Sequence, residues 1–124
     1  MGRHHLVRHD TQAVLTVDLI DRPTGLPIPV DGAAVVRMYT RADNTTLVLD
    51  TIIATKLTGQ TMSDGTLDSS VATPGLGGRV QFALPLSFTQ REVGYYEGEI
   101  EITSAAGLIS TVYDVEKFSI REDF

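Results

Sequence analysis

The chain has 124 residues, no cysteine and a formal net charge of −6, from 10 Lys/Arg against 16 Asp/Glu. That length suits one domain with one core, and 42% apolar with 21% charged residues is the composition of a folded chain. The acid excess argues against nucleic acid and against an anionic membrane as partners, since both call for a Lys/Arg-rich surface. Without cysteine there are no disulfides, zinc–thiolate sites or thiol nucleophiles, as expected of a chain that folds in a reducing cytoplasm.

Residues 1–10 read as an N-terminal arm and residues 11–124 as a single domain. The arm carries Arg3, His4, His5, Arg8 and His9. It has no apolar segment of the secretory kind, and no run in the chain approaches the roughly 20 apolar residues of a membrane span. The first nine residues hold no acid and sum to +2, while the remaining 115 sum to −8. An arm of one sign on a body of the other docks on its own body or on a neighbour. The expectation is that it lies on an adjacent subunit, with these five residues as interaction candidates.

Gln12–Ile20 alternates around Leu15, Val17 and Leu19 and predicts a strand. Arg22–Pro29 contains three prolines, which lack the donors of a central ladder, and predicts a loop or extended crossover. Asp31-Gly32 signals a turn before a strand over Ala33–Tyr39, and Asp43-Asn44 a turn before a strand over Leu47–Ala54. Thr55–Gly78 is rich in Gly, Ser and Thr. Ser63-Asp64-Gly65 predicts a small hairpin between Leu57–Met62 and Thr66–Val71, and Thr73–Gly78 a flexible link. This segment is a candidate for ordering only on assembly. Arg79–Leu84 places Val80, Phe82 and Leu84 on one face. Ser87–Val93 predicts a helical turn or an irregular crossing.

Gly94–Thr103 and Ser110–Ile120, joined across Ala106-Gly107, predict two long antiparallel strands. Tyr96, Gly98, Ile100 and Ile102 share one face; Tyr95, Glu97, Glu99 and Glu101 share the other. Phe118 and Ile120 point inward; Lys117, Ser119 and Arg121 point outward. The glutamate row is expected on the solvent face, with Lys117 and Arg121 as cross-strand partners. About seven short strands with almost no helical periodicity give an all-β, immunoglobulin-like antiparallel β-sandwich without a disulfide.

No constellation for chemistry emerges. His4, His5 and His9 lack the spacing and companion ligands of a metal site. Asp43, Asp50, Asp64 and Asp68 fall in no calcium-binding loop and read as turn residues. Neither a Gly-x-Ser-x-Gly elbow nor a phosphate loop occurs. Asn44-Thr45-Thr46 fits the glycosylation pattern and is read as coincidence in a chain with no secretory route. No catalytic residue, metal or cofactor is expected. Tyr39, Tyr95 and Tyr113 are the only candidates for a sugar-stacking platform.

From Gly78-Arg79-Val80-Gln81-Phe82-Ala83-Leu84-Pro85, through Gly94-Tyr95-Tyr96-Glu97-Gly98-Glu99-Ile100-Glu101-Ile102, to Phe118-Ser119-Ile120, the chain resembles the immunoglobulin-like N-terminal domain of bacteriophage upper baseplate proteins and related tail and neck proteins. The resemblance spans most of the chain and implies no catalytic residues. It implies a non-enzymatic virion component of tail, baseplate or neck, folded in the host cytoplasm, contacting other virion proteins and itself as a homo-oligomer. Family members typically continue into further modules, whereas this chain stops at Phe124, which favours a small stand-alone component. The alternatives are a carbohydrate- or receptor-binding module and a capsid decoration protein.

Overall fold

The computed structural model describes residues 3–112 and 115–122, with the side chains of residues 33 and 34 excepted. The chain is an all-β sandwich. The larger sheet runs in the order β1 (Arg3–Val7), β11 (Glu116–Arg121), β9 (Gly94–Ser104), β3 (Ala33–Ala42), β4 (Asp50–Ile53), and β10 (Ile109–Thr111) also pairs with β9. The smaller sheet runs β2 (Val14–Asp18), β8 (Arg79–Ala83), β5 (Thr55–Lys56). This is the immunoglobulin-like division of strands, a G-F-C-C′ sheet facing a B-E-D sheet. Among the described strands every pairing is antiparallel except that of β1 with β11, which is parallel. The stretch read as an arm for a neighbouring subunit is therefore an edge strand on its own chain.

Alternation produces the core. Leu15 and Val17 of β2 and Val80 and Phe82 of β8 meet Val36 and Met38 of β3, Ile100 of β9, and Phe118 and Ile120 of β11. Pro85 follows β8 with an extended backbone and precedes a single helical turn, α1 (Leu86–Thr89). The turn inserts Phe88 edge-on against Phe118 and Tyr96, with ring centroids 5.2 and 5.8 Å away. At the start of β9 the Tyr96 hydroxyl donates to the Glu92 carbonyl, 2.7 Å away. That is the tyrosine corner of immunoglobulin-like domains, in the place where the chain crosses between sheets.

Two expectations need correction here. The predicted strand Ser110–Ile120 is two strands, because β9 advances three residues from Glu101 to Gly98 while its partner advances five, from Thr111 to Glu116. Residues 113 and 114 lie outside the described residues. The expected flexible link is also packed: Gly75, Gly77 and Gly78 are buried, and backbone bonds tie Gly75 to Leu57 and Val30, and Gly78 to Leu19. The predicted small hairpin is present in shortened form, as β6 (Gln60–Thr61) against β7 (Leu67–Asp68).

Candidate functional site: the outer sheet face and its edges

Pleating sends Glu97, Glu99 and Glu101 of β9 to the outer face of the larger sheet, as expected. The register with β3 then sets Arg41 opposite Glu97, Tyr39 opposite Glu99 and Arg37 opposite Glu101. Glu97 is not on an open solvent face, because cations from both neighbouring strands cover it. Arg41 Nε donates to it at 2.6 Å and Lys117 Nζ at 2.5 Å, leaving its side chain 11% exposed. Arg41 also lies 3.8 Å from Glu99. The Tyr39 hydroxyl donates to Glu101 at 3.1 Å, and burial together with this bond raises the Tyr39 pKa.

Lys117 was expected beside the row and is there. Arg121, the other expected partner, falls beyond the Ile120–Gly94 pair and opposite Val7, away from the glutamates. The second cation is Arg41. Hydrogen bonds from Lys117 and then Arg41 hold the Glu97 carboxyl below its ordinary value. A general acid or base working near neutrality needs the opposite shift, so Glu97 serves to tie β3, β9 and β11 together.

The five basic candidates of the N-terminus do not converge. Arg3 reaches across β11: it donates to the Phe118 carbonyl at 2.8 Å, lies 3.5 Å from Asp43, and stacks over Tyr95 at 4.5 Å from the ring centroid. His4 points inward and shares a 3.0 Å hydrogen bond with Glu116, whose side chain is 5% exposed. His5 points outward to Ser119 Oγ at 2.7 Å. Arg8 holds Glu122 at 2.8 Å and the Gln90 carbonyl at 3.2 Å. His9 sits in the turn after β1 with φ of 70°. Among the described residues, no three His, Cys, Asp or Glu side chains group as a metal site. Asp64 and Asp68 each accept bonds from a hydroxyl and an amide two residues on, as turn residues do.

Of the tyrosines considered for sugar stacking, Tyr113 lies outside the described residues. Tyr39 stands opposite Glu99, four residues from Tyr95 on β9 and so about 13 Å from it at the strand rise. With Arg3 over one ring and Glu101 on the other hydroxyl, the two form no joint platform.

The edges of the larger sheet differ. Beyond β11, β1 covers one side. The other ends at β4, which has no further partner among the described residues. Around it Leu47, Val48 and Ile53 are 71%, 50% and 64% exposed, and the strand carries no lysine, proline or bulge to blunt pairing. Asp50 of β4 is occupied inward by Arg91 and Ser87. An open groove of about 620 Å³ lies between β10 and the proline-rich loop, lined by Leu26, Pro27, Ile28, Ile102 and Val112. Sequence reasoning missed both Arg41 and the bare edge. The alternation of Arg37, Tyr39 and Arg41 was the available signal for the first.

No protein-family model and no curated protein matches the chain. Among solved structures, CopC from Methylosinus trichosporium OB3b is similar at 11% identity and a TM-score of 0.46, over 100% of this chain and 88% of that one. A likeness at that level says nothing about chemistry.

Proposed function

We propose that this protein is a non-enzymatic structural component of a tailed-bacteriophage particle, in its tail, baseplate or neck, and that it assembles through the open edge of its larger sheet. The observation that carries the assembly half is β4: a strand with no further partner among the described residues, with Leu47, Val48 and Ile53 exposed on and beside it. Such an edge offers a row of backbone donors and acceptors to another strand, and the apolar flank adds area to bury. The virion half rests on the resemblance of residues 78–85, 94–102 and 118–120 to baseplate immunoglobulin-like domains. Its partners are then other virion proteins and copies of itself, and it folds in the host cytoplasm before joining the particle.

Sedimentation of the purified chain across concentration tests the reading. The native chain is expected to associate, and Ile53→Lys, which puts a charge on the outer side of the edge, is expected to weaken association at least about tenfold. A strict monomer in both forms at every concentration overturns assembly through β4.

A further inference from the structure

We propose that β1 is an exchangeable strand: residues 3–7 of one copy leave their own β11 and occupy the same place on β11 of a second copy. The inference concerns the edge opposite β4 and does not depend on the virion reading.

Four features of the chain meet at this strand. First, β1 makes the one parallel pairing among the described strands, and parallel ladders are slightly weaker per residue. Second, its grip is mostly polar and none of its residues is fully buried. Arg3 holds the Phe118 carbonyl, His4 holds Glu116, and His5 holds Ser119. These contacts re-form unchanged when an identical strand arrives.

Third, the hinge is under strain. Six residues, 8–13, join β1 to β2 on the opposite sheet. To turn back, the chain puts His9, which has a Cβ, in the left-handed region at φ 70°. The turn is pinned by backbone bonds from Asp10 to Val7 and from His9 to Thr89. Extending the hinge relieves His9, and short strained hinges favour swapping.

Fourth, the vacated place selects its occupant. Glu116 faces inward with its side chain 5% exposed, and among the described residues its carboxylate is hydrogen-bonded to His4. Without a strand beside it, Glu116 loses that partner. The edge therefore calls for a strand with a basic group at that register position, followed by the leucine that lies opposite Ile120. A second copy of this chain supplies both. The basic strand and the acidic body add attraction of long range.

The absence of cysteine makes the test clean. Chains carrying only His5→Cys are mixed with chains carrying only Ser119→Cys, incubated at high concentration, oxidised, and mapped by mass spectrometry. Exchange brings position 5 of one chain against position 119 of the other. The expected result is a 5–119 bridge several-fold above that formed between His5→Cys chains and chains carrying Ile53→Cys on the far edge. Equal yields of the two bridges overturn the proposal, and a dimer rich in bridges to position 53 assigns association to β4. Added to both cysteine-bearing chains, His9→Gly removes the hinge strain and is expected to lower the yield of the 5–119 bridge about fivefold or more. An exchanged fraction that ignores His9→Gly overturns the role of the hinge.

Discussion

At Glu97 two ion pairs converge on one carboxylate, and a pH dependence of stability follows. Its folded pKa lies below the ordinary 4.5 because Lys117 and Arg41 bind the charged form. The stabilisation is therefore complete above 4.5 and drains away as the pH falls from there through the lowered folded value. Glu97→Gln is expected to cost about 1–2 kcal/mol near neutrality, less than a fully buried pair would, because Arg41 and Lys117 stay partly hydrated. Urea titrations should show the gap between native chain and variant closing as the pH is taken below the carboxylate range. A gap that persists there would mean that packing, and not charge, is lost in the variant. Tyr96→Phe probes a different bond. It removes the corner hydroxyl but keeps the edge contact with Phe88, and is expected to cost about 1 kcal/mol, read as a lower thermal midpoint.

Single strands were legible where one face is buried and the other is wet. β2, β8 and β9 announce themselves by alternation, and Leu15, Val17, Val80, Phe82, Ile100, Phe118 and Ile120 are all buried as their parity requires. Pairing was less legible. Arg41 completes the site at Glu97, yet 56 residues separate them, and register between distant strands is set by the whole core rather than by local pattern. Taking the strand to end at Tyr39 left Arg41 outside it. The glycines of the 55–78 segment misled in another way, since flexibility and close approach favour the same residue. A Cβ on Gly77 would lie 2.3 Å from the Gly59 carbonyl oxygen, whereas one on Gly65 would meet nothing within 4 Å. Gly77→Ala is thus expected to destabilise by about 3 kcal/mol or more and to open the segment to limited proteolysis. Gly65→Ala, strained by its φ of 87° alone, should cost about 1 kcal/mol. Equal protease sensitivity in the two variants would contradict the packed crossing.

For the molecule as a whole, β1 decides whether the larger sheet has one open edge or two. Removing residues 2–9 strips β11 of its neighbour and Glu116 of His4. The expected loss is about 2–4 kcal/mol, measured as a lower urea midpoint and accompanied by concentration-dependent association. An unchanged midpoint would show that β1 is merely laid on the sheet.

The parallel pairing of β1 with β11 also sets an order of events during synthesis. Arg3 and the Phe118 carbonyl it binds are 115 residues apart in the chain, so β1 leaves the ribosome well before the strand it pairs with. At usual elongation rates the wait is roughly 6–23 s, and contacts of such long sequence separation form late in folding in any case. Throughout that interval a basic, unpaired strand trails from each nascent chain. The proposed exchange therefore has its opening during synthesis, before β11 of the same chain is complete.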